Sequence, residues 1–221
     1  MSDYHERYSR QELIKNWDQK KISEARVAVV GGELFAEFVC LGLAALGIGE
    51  IRIITNEREK KDQYSVFSKF KKYINYNGNE KAKTLVATLK VFNPTIKPID
   101  IHTEMFGKEY YPVFNNPRVV IDITNKKESK VLCMEYCKER RIPFISGVVG
   151  DQSGLMNVNP DENELTQQMI ISNQQQNPII SEILAGFIID ETRKVILPLN
   201  KNETLVKKTL KYNLTEKERF E

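Results

Sequence analysis

Between Arg26 and Glu57 the chain runs apolar stretch, glycine break, apolar stripe, glycine break, apolar stretch. Val27, Val29 and Val30 with Ala28 form a short β-branched run, the pattern of a strand buried in a parallel sheet. Gly31-Gly32 interrupts it. Leu34, Phe38, Leu41 and Ala45 then recur at helical spacing, with Phe35, Val39, Leu43 and Leu46 beside them. A stripe this wide predicts a helix covered on most sides. Gly47-Ile48-Gly49 ends it, where glycine accepts the positive φ of a helix C-terminus. Ile51, Ile53 and Ile54 form a second strand, completing one βαβ unit.

The flanking pattern extends this unit. Ser9 and Glu12 stand at capping-box spacing, and Leu13, Ile14, Trp17 and Ile22 predict one or two short amphipathic helices over residues 9–24. Tyr64, Phe67, Phe70, Tyr73 and Ile74 predict another helix within residues 56–78. Ala82, Leu85, Leu89 and Phe92 share a helix face that Asn93-Pro94 stops. Strands are predicted at Ile96–His102, Arg118–Ile123 and Pro143–Gly147, with a helix over Lys126–Arg141 carrying Val131, Met134, Tyr136 and Cys137. Gly147–Asn159 and Glu164–Ile171 read as antiparallel return strands. Pro178 suits the first turn of a helix carrying Ile179, Ile183, Leu184, Phe187 and Ile188. Residues 204–214 read as a terminal strand, and the last residues as frayed. Such alternation implies right-handed crossovers and an α/β, Rossmann-like, doubly wound, mostly parallel sheet with an antiparallel C-terminal extension. The expected division is a helical arm at 1–24, the Rossmann-like domain at 25–197 and a strand and tail at 198–221.

A phosphate site in a first βαβ unit needs glycine wherever backbone must approach the ligand, usually as G-x-G-x-x-G. Here the three positions hold Gly31, Glu33 and Ala36. The glutamate adds like-charge repulsion to the steric problem. Thr55 stands where an acidic residue would bind ribose hydroxyls. The architecture is announced and the chemistry withdrawn in the same stretch.

Composition narrows the classes. The 221 residues suffice for a substantial core, and 41% hydrophobic with 29% charged is ordinary for a globular chain. A net charge of +3 with scattered lysines argues against a nucleic-acid surface. No apolar run approaches the ~20 residues of a membrane span. The start, MSDYHERYSRQ, has no apolar core of a signal peptide. An odd set of cysteines, Cys40, Cys133 and Cys137, fits buried thiols in a reducing cytoplasm. With only His5 and His102 beside them, no zinc site assembles.

The order RYSRQ (Arg7 to Gln11), ARVAVVGG, ALGIGEIRIIT, GNEK, FNP, VVIDITN and IPFISG resembles the ThiF/MoeB/HesA family, which includes the activating enzymes for ubiquitin-like proteins. The resemblance runs from about Tyr8 to about Leu197. It implies binding of ATP and Mg2+ and adenylation of the C-terminal glycine of a small β-grasp protein. By resemblance, Arg10 matches an arginine that reaches across a dimer interface to the partner's ATP. Lys81 matches a phosphate-binding lysine, Asp122 the first aspartate of D-x-T-D-N, and Gly31 and Gly32 the remnant of the phosphate loop.

Departures from the pattern are more numerous than matches. Glu33 and Ala36 replace loop glycines, Thr55 the ribose aspartate and Asn125 the metal aspartate. N-x-x-R-Q is missing from residues 56–72, as are both C-x-x-C pairs and a cysteine nucleophile after Gly147. Retaining Arg10 while losing its own pocket fits the non-catalytic half of a heterodimeric activating enzyme. That half would bind no cofactor of its own; ATP and Mg2+ would sit in a catalytic ThiF/MoeB-like paralogue, with a ubiquitin-like β-grasp protein as further partner. Two other readings stay open. One is a divergent but active adenylyltransferase using Lys81, Asp122 and Lys60 or Lys61. The other is a homodimeric module that binds a β-grasp protein. The individual residues also have plain structural readings: Arg10 on the surface, Lys81 solvated, Asp122 capping its strand, Glu33 satisfying the helix amides.

Overall fold

The computed structural model describes residues 6–58, 80–104, 107–171 and 175–214. Seven strands form one sheet: β1 (Arg26–Val30), β2 (Glu50–Ile54), β3 (Lys97–Ile101), β4 (Val119–Asp122), β5 (Phe144–Val149), β6 (Ser153–Val158) and β7 (Leu210–Asn213). Their spatial order is β3-β2-β1-β4-β5-β6-β7. The first five are mutually parallel, and β6 and β7 add on antiparallel. The mostly parallel Rossmann-like sheet with an antiparallel C-terminal extension is therefore the observed fold.

The helices are α1 (Gln19–Ser23), α2 (Leu34–Leu46), α3 (Lys81–Phe92), α4 (Lys127–Arg140), α5 (Glu162–Ile171) and α6 (Pro178–Ile196), with a 3-10 helix at Lys108–Phe114. One apolar core lies between the sheet and α2, α3 and α6, and joins Val27, Val29, Phe35, Leu43, Leu85 and Ile188. The second lies on the other face, under α4, α5 and the 3-10 helix, around Val120, Phe114, Tyr136 and Phe144. The prediction that α2 is covered on most sides holds, because α6 packs along it so closely that a Cβ on Gly42 would stand 2.0 Å from Ile189 Cδ1. Gly47 ends α2 at φ +90°, and the amides of Gly47 and Ile48 both return to the Leu43 carbonyl at 3.1 Å.

Two expectations fail. Glu164–Ile171 is helical, within α5. Asp161 and Glu164 make a reciprocal capping box, Glu164 N donating to Asp161 Oδ1 at 2.8 Å and Asp161 N to Glu164 Oε2 at 3.0 Å, so local capping overrides the apparent alternation. Residues 9–17 run as turns, and Leu13 stands 84% exposed. Ser9 Oγ donates to the Glu6 carbonyl rather than capping a helix, while Asn16, at φ +66°, donates its side-chain amide to the Leu199 carbonyl. The cap of α1 is Asp18 instead, accepting from Lys21 N. In α4 the expected apolar set does face the core: Tyr136 and Cys137 are buried, with Ser129, Lys130, Leu132 and Cys133 beside them, and Val131 and Met134 pack half-buried against it. The helix predicted from Tyr64 to Ile74, Lys60, Lys61 and the frayed end lie outside the described residues.

Candidate functional site

From the neighbouring strands β1 and β4 the chain winds outward in opposite directions. Their C-terminal ends therefore frame the crevice where doubly wound sheets bind ligands. Gly31 follows β1 at φ +133°, its amide donating to the Ile54 carbonyl at 3.0 Å. A Cβ on Gly31 would stand 3.2 Å from Ile123 Cγ1, and one on Gly32 would stand 2.9 Å from Thr55 Oγ1 and Cγ2. Both glycines are thus required by the chain's own packing. Thr55 fills the space beside Gly32 and accepts from Glu57 N at 3.2 Å.

The N-terminus of α2 points into this crevice. Glu33 is its N-cap residue, yet its carboxylate makes no cap bond to the helix amides. That corrects the reading of Glu33 as the group satisfying them. The first-turn amide of Phe35 donates instead to Gln176 Oε1 at 2.9 Å, from the loop before α6.

Lys81 is also engaged. Its ammonium lies 3.0 Å from Glu57 Oε2, and its side chain is 7% exposed, so it is not the solvated lysine of the plain reading. Nearby, Glu104 accepts from Asn56 Nδ2 at 2.6 Å and pairs with Lys126. Thr55, Asn56, Glu57, Thr103, Glu104, Thr124, Lys126 and Ser129 close around a cavity of about 20 Å3. That is room for roughly one water, against the ~300 Å3 or more of ordinary ligand pockets.

Asp122, the last residue of β4, is wholly buried. Its Oδ1 accepts from Thr124 N at 2.9 Å and Thr124 Oγ1 at 2.7 Å; its Oδ2 accepts from Ser129 Oγ at 2.6 Å and Cys133 Sγ at 3.6 Å. Lys130, equally buried, donates to the Asp122 carbonyl at 2.8 Å, Ser146 Oγ at 3.0 Å and the Gly147 carbonyl at 3.0 Å, with Asp122 Oδ1 at 3.5 Å. Burial pulls the Lys130 ammonium below its ordinary pKa, and the Asp122 carboxylate opposes that shift. Burial likewise pushes the Cys133 thiol well up, reinforced by Asp122, and Cys137 up to about 12.

These groups belong to a polar row across the sheet. Asp122, Ser146 and Asn157 are register partners on β4, β5 and β6. Lys130 covers one end of the row and Gln168 the other. Ser146 Oγ donates to Gln168 Oε1 at 2.7 Å, Gln168 Nε2 to Asn157 Oδ1 at 2.7 Å, and Asn157 Nδ2 to Thr209 Oγ1 at 2.6 Å. Buried polar groups are tolerated because they are paired in this way.

The family resemblance implies a Mg2+ site, and the described residues do not fit one. The Asp122 oxygens are taken by donors of this chain, Asn125 supplies no charge, and no cluster of three His, Cys, Asp or Glu side chains exists among the described residues.

Arg10 is exposed at the opposite end of the fold. Its neighbour Gln11 donates to the Ala45 carbonyl in the last turn of α2, and Arg7 to the Phe92 carbonyl at the end of α3. The 13 residues of α2 therefore separate Arg10 from Gly31 and Gly32, a span of roughly 20 Å. The structure brings Gly31, Gly32, Lys81 and Asp122 to one edge of the sheet and leaves Arg10 away from them. A separate cavity of about 650 Å3 lies at the start of β5 between Met134, Arg141 and Asp161, and none of the residues at that edge lines it.

A model of the ThiF family matches residues 6–221. The chain belongs to the ThiF family. It is 24% identical over 158 residues to the adenylyltransferase and sulfurtransferase MOCS3-1 of Zea mays, covering 69% of this chain. It is also 24% identical over 156 residues to MOCS3 of Arabidopsis thaliana. The chain spans about a third of the length of these curated relatives, 33% of each. Among solved structures it resembles PaaA, with TM-score 0.80 and 18% identity over 98% of this chain and 72% of that one. It also resembles E. coli MccB in a structure with ATP, with TM-score 0.71 and 16% identity over 94% of this chain and 71% of that one. Likeness at these identities concerns the fold.

Sequence reasoning missed Glu57, Gln176, Lys130 and the row from Ser146 to Thr209. Gln176 lies 141 residues from the amide it caps, and no local pattern reports such a pairing. Lys130 carried a signal, since it falls beside the buried face of α4 and eight residues from Asp122.

Proposed function

We propose that this chain is a non-catalytic subunit of a ubiquitin-like-protein activating enzyme. It pairs with an ATP-binding ThiF-family relative and donates Arg10 to the relative's site. One observation carries the reading: the polar groups retained at the crevice are neutralised by this chain itself, Lys81 by Glu57 and Asp122 by Lys130. Catalysis of adenylation needs free cations for the polyphosphate and a carboxylate for the metal. An arm that carries Arg10 a helix length from its own crevice also supports service to another subunit. ATP and Mg2+ then belong to the partner, and the protein acted upon is a β-grasp, Gly-ended protein. Placement in the cytoplasm accompanies this reading; among the described residues no helix is long and apolar enough to cross a membrane.

ATP–pyrophosphate exchange tests it. The isolated chain gives no exchange, and mixing it with an ATP-binding ThiF relative from the same source raises the relative's rate. Arg10→Ala removes that gain while leaving complex formation intact. Exchange by the isolated chain, micromolar Mg-ATP affinity in titration calorimetry, or full stimulation by Arg10→Ala overturns the proposal.

A further inference from the structure

The segment before α1 that carries Arg10 is held by its ends. On one side Tyr8 is buried, and its hydroxyl meets Thr95 Oγ1 at 3.0 Å and accepts from Asn93 Nδ2 at 2.7 Å. Residues 12–16 are all exposed, so packing does little to place them. Three side-chain donors tie the segment to carbonyls instead: Arg7 to Phe92, Gln11 to Ala45 and Asn16 to Leu199. The first two carbonyls are fixed by regular structure, since Phe92 ends α3 and Ala45 lies in the last turn of α2. Leu199 belongs to neither helix nor strand.

Glu203 fixes it. Glu203 Oε2 accepts from Leu199 N at 2.6 Å. Arg193 of α6 donates Nη1 to the same oxygen at 3.0 Å and Nη2 to Oε1 at 2.7 Å, and Nη1 also reaches the Leu197 carbonyl at 3.1 Å. Turn 197–203 is thus closed onto α6 by charge-assisted bonds, roughly twice as strong as neutral ones. The Leu199 side chain packs on the same core as Trp17, and its carbonyl takes Asn16 Nδ2 at 2.6 Å. Asn16 bends the chain there at φ +66°, a conformation that asparagine tolerates.

We propose that Glu203 is a positioning residue for the Arg10 arm: it clamps turn 197–203 to α6, presents the Leu199 carbonyl to Asn16, and so fixes the arm at a second end beyond Tyr8. With both ends fixed, the exposed stretch holds Arg10 in one place for the partner subunit; with the second end released it hinges at Gln11. The link from Glu203 to Asn16 stands on this chain's own geometry, while its service to Arg10 rests on the reading of Arg10 given above.

Amide exchange of the isolated full chain tests the link. The reporters are the Ile14 and Trp17 amides, which donate to the Gln11 and Ile14 carbonyls within the arm, and the β1 amides are the reference for any global loss. Asn16→Asp keeps the shape and the tolerance of positive φ but removes the donor. It speeds both reporters by at least ~10-fold relative to β1, and Glu203→Ala does the same. The double variant goes no further, because both changes cut one link. Unchanged reporters, or additive effects, overturn the proposal; should Glu203→Ala not fold, Asn16→Asp alone decides. Mixing with the ATP-binding relative then tests the service: Asn16→Asp lowers the stimulation of pyrophosphate exchange by at least ~10-fold with complex formation intact, the scale of loss a misplaced group produces. Full stimulation by Asn16→Asp, where Arg10→Ala gives none, overturns the positioning of Arg10. Full stimulation by Arg10→Ala sinks the reading of Arg10 instead, and amide exchange still decides the clamp.

Discussion

Gln176 Oε1 accepts the Phe35 amide at 2.9 Å, so a loop side chain caps the kind of helix terminus that offers its amides to phosphate in nucleotide-binding βαβ units. The bond joins the α6 entrance to the α2 entrance across the crevice. Its energetic role is that of a remote N-cap.

Gln176→Ala is expected to cost about 1 kcal/mol, the usual loss of a helix cap. For a chain of this length the melting temperature falls by roughly 2–4 °C. Urea unfolding checks it through a lower midpoint at unchanged slope. A stability within experimental error of wild type shows that the Phe35 amide finds another acceptor.

The Lys81–Glu57 pair is expected to show coupling. Lys81→Met leaves Glu57 facing a buried position without its cation and costs about 1–3 kcal/mol. Adding Glu57→Gln recovers part of that loss. Chemical denaturation of the two single variants and the double variant measures the recovery; strict additivity rules out the pair as an energetic unit.

Two glycine-to-alanine changes are expected to diverge. At Gly49 a Cβ would stand 1.7 Å from the Ser23 carbonyl oxygen, a backbone atom that cannot swing away. Gly49→Ala therefore costs about 1–3 kcal/mol or more. At Gly42 the obstruction is Ile189 Cδ1, the far end of a flexible side chain, at 2.0 Å. Its rotamer change is offset by the roughly 1 kcal/mol gain in helix propensity, leaving Gly42→Ala near neutral. Melting curves of the two variants check the contrast.

Acid sensitivity is expected from the C-terminal segment. Arg193 grips Glu203 through two bonds, at 2.7 and 3.0 Å, and also holds Asp190 and the Leu197 carbonyl. The Arg193 hydrogen bond pulls the Glu203 carboxyl from its ordinary 4.5 to about 2. A depressed carboxylate stabilises the folded state above its unfolded pKa and loses that contribution as pH falls through the folded one. Wild-type stability should thus decline between about pH 5 and pH 2, and Glu203→Gln should be less stable at pH 7 with a shallower decline. Equal slopes for the two proteins would contradict the assignment.

Much of the fold was legible because it is local. The run Val27–Val30, the stripe from Leu34 to Leu46 and the Gly47 stop each report on neighbouring residues, and each element appears where it was expected. The error at Glu164–Ile171 was local as well: Asp161 and Glu164 spelled a capping box that went unread. At Leu13 and Ile14 the pattern misled for another reason. Asn16 is pinned to Leu199 from across the molecule, which breaks the helix that their spacing suggested.

The site divides in the same way. By itself the sequence determined the family, the strands and helices from Val27 to Ile54 and the substitutions at Glu33, Ala36, Thr55 and Asn125, because these depend on residue type and short spacing. Only the tertiary structure decided what the remaining polar residues do. Gln176 reaches Phe35, Glu57 reaches Lys81, and Lys130 reaches Asp122 and Ser146. The physical reason is that charge balance and hydrogen-bond satisfaction are settled among groups brought together by chain crossovers.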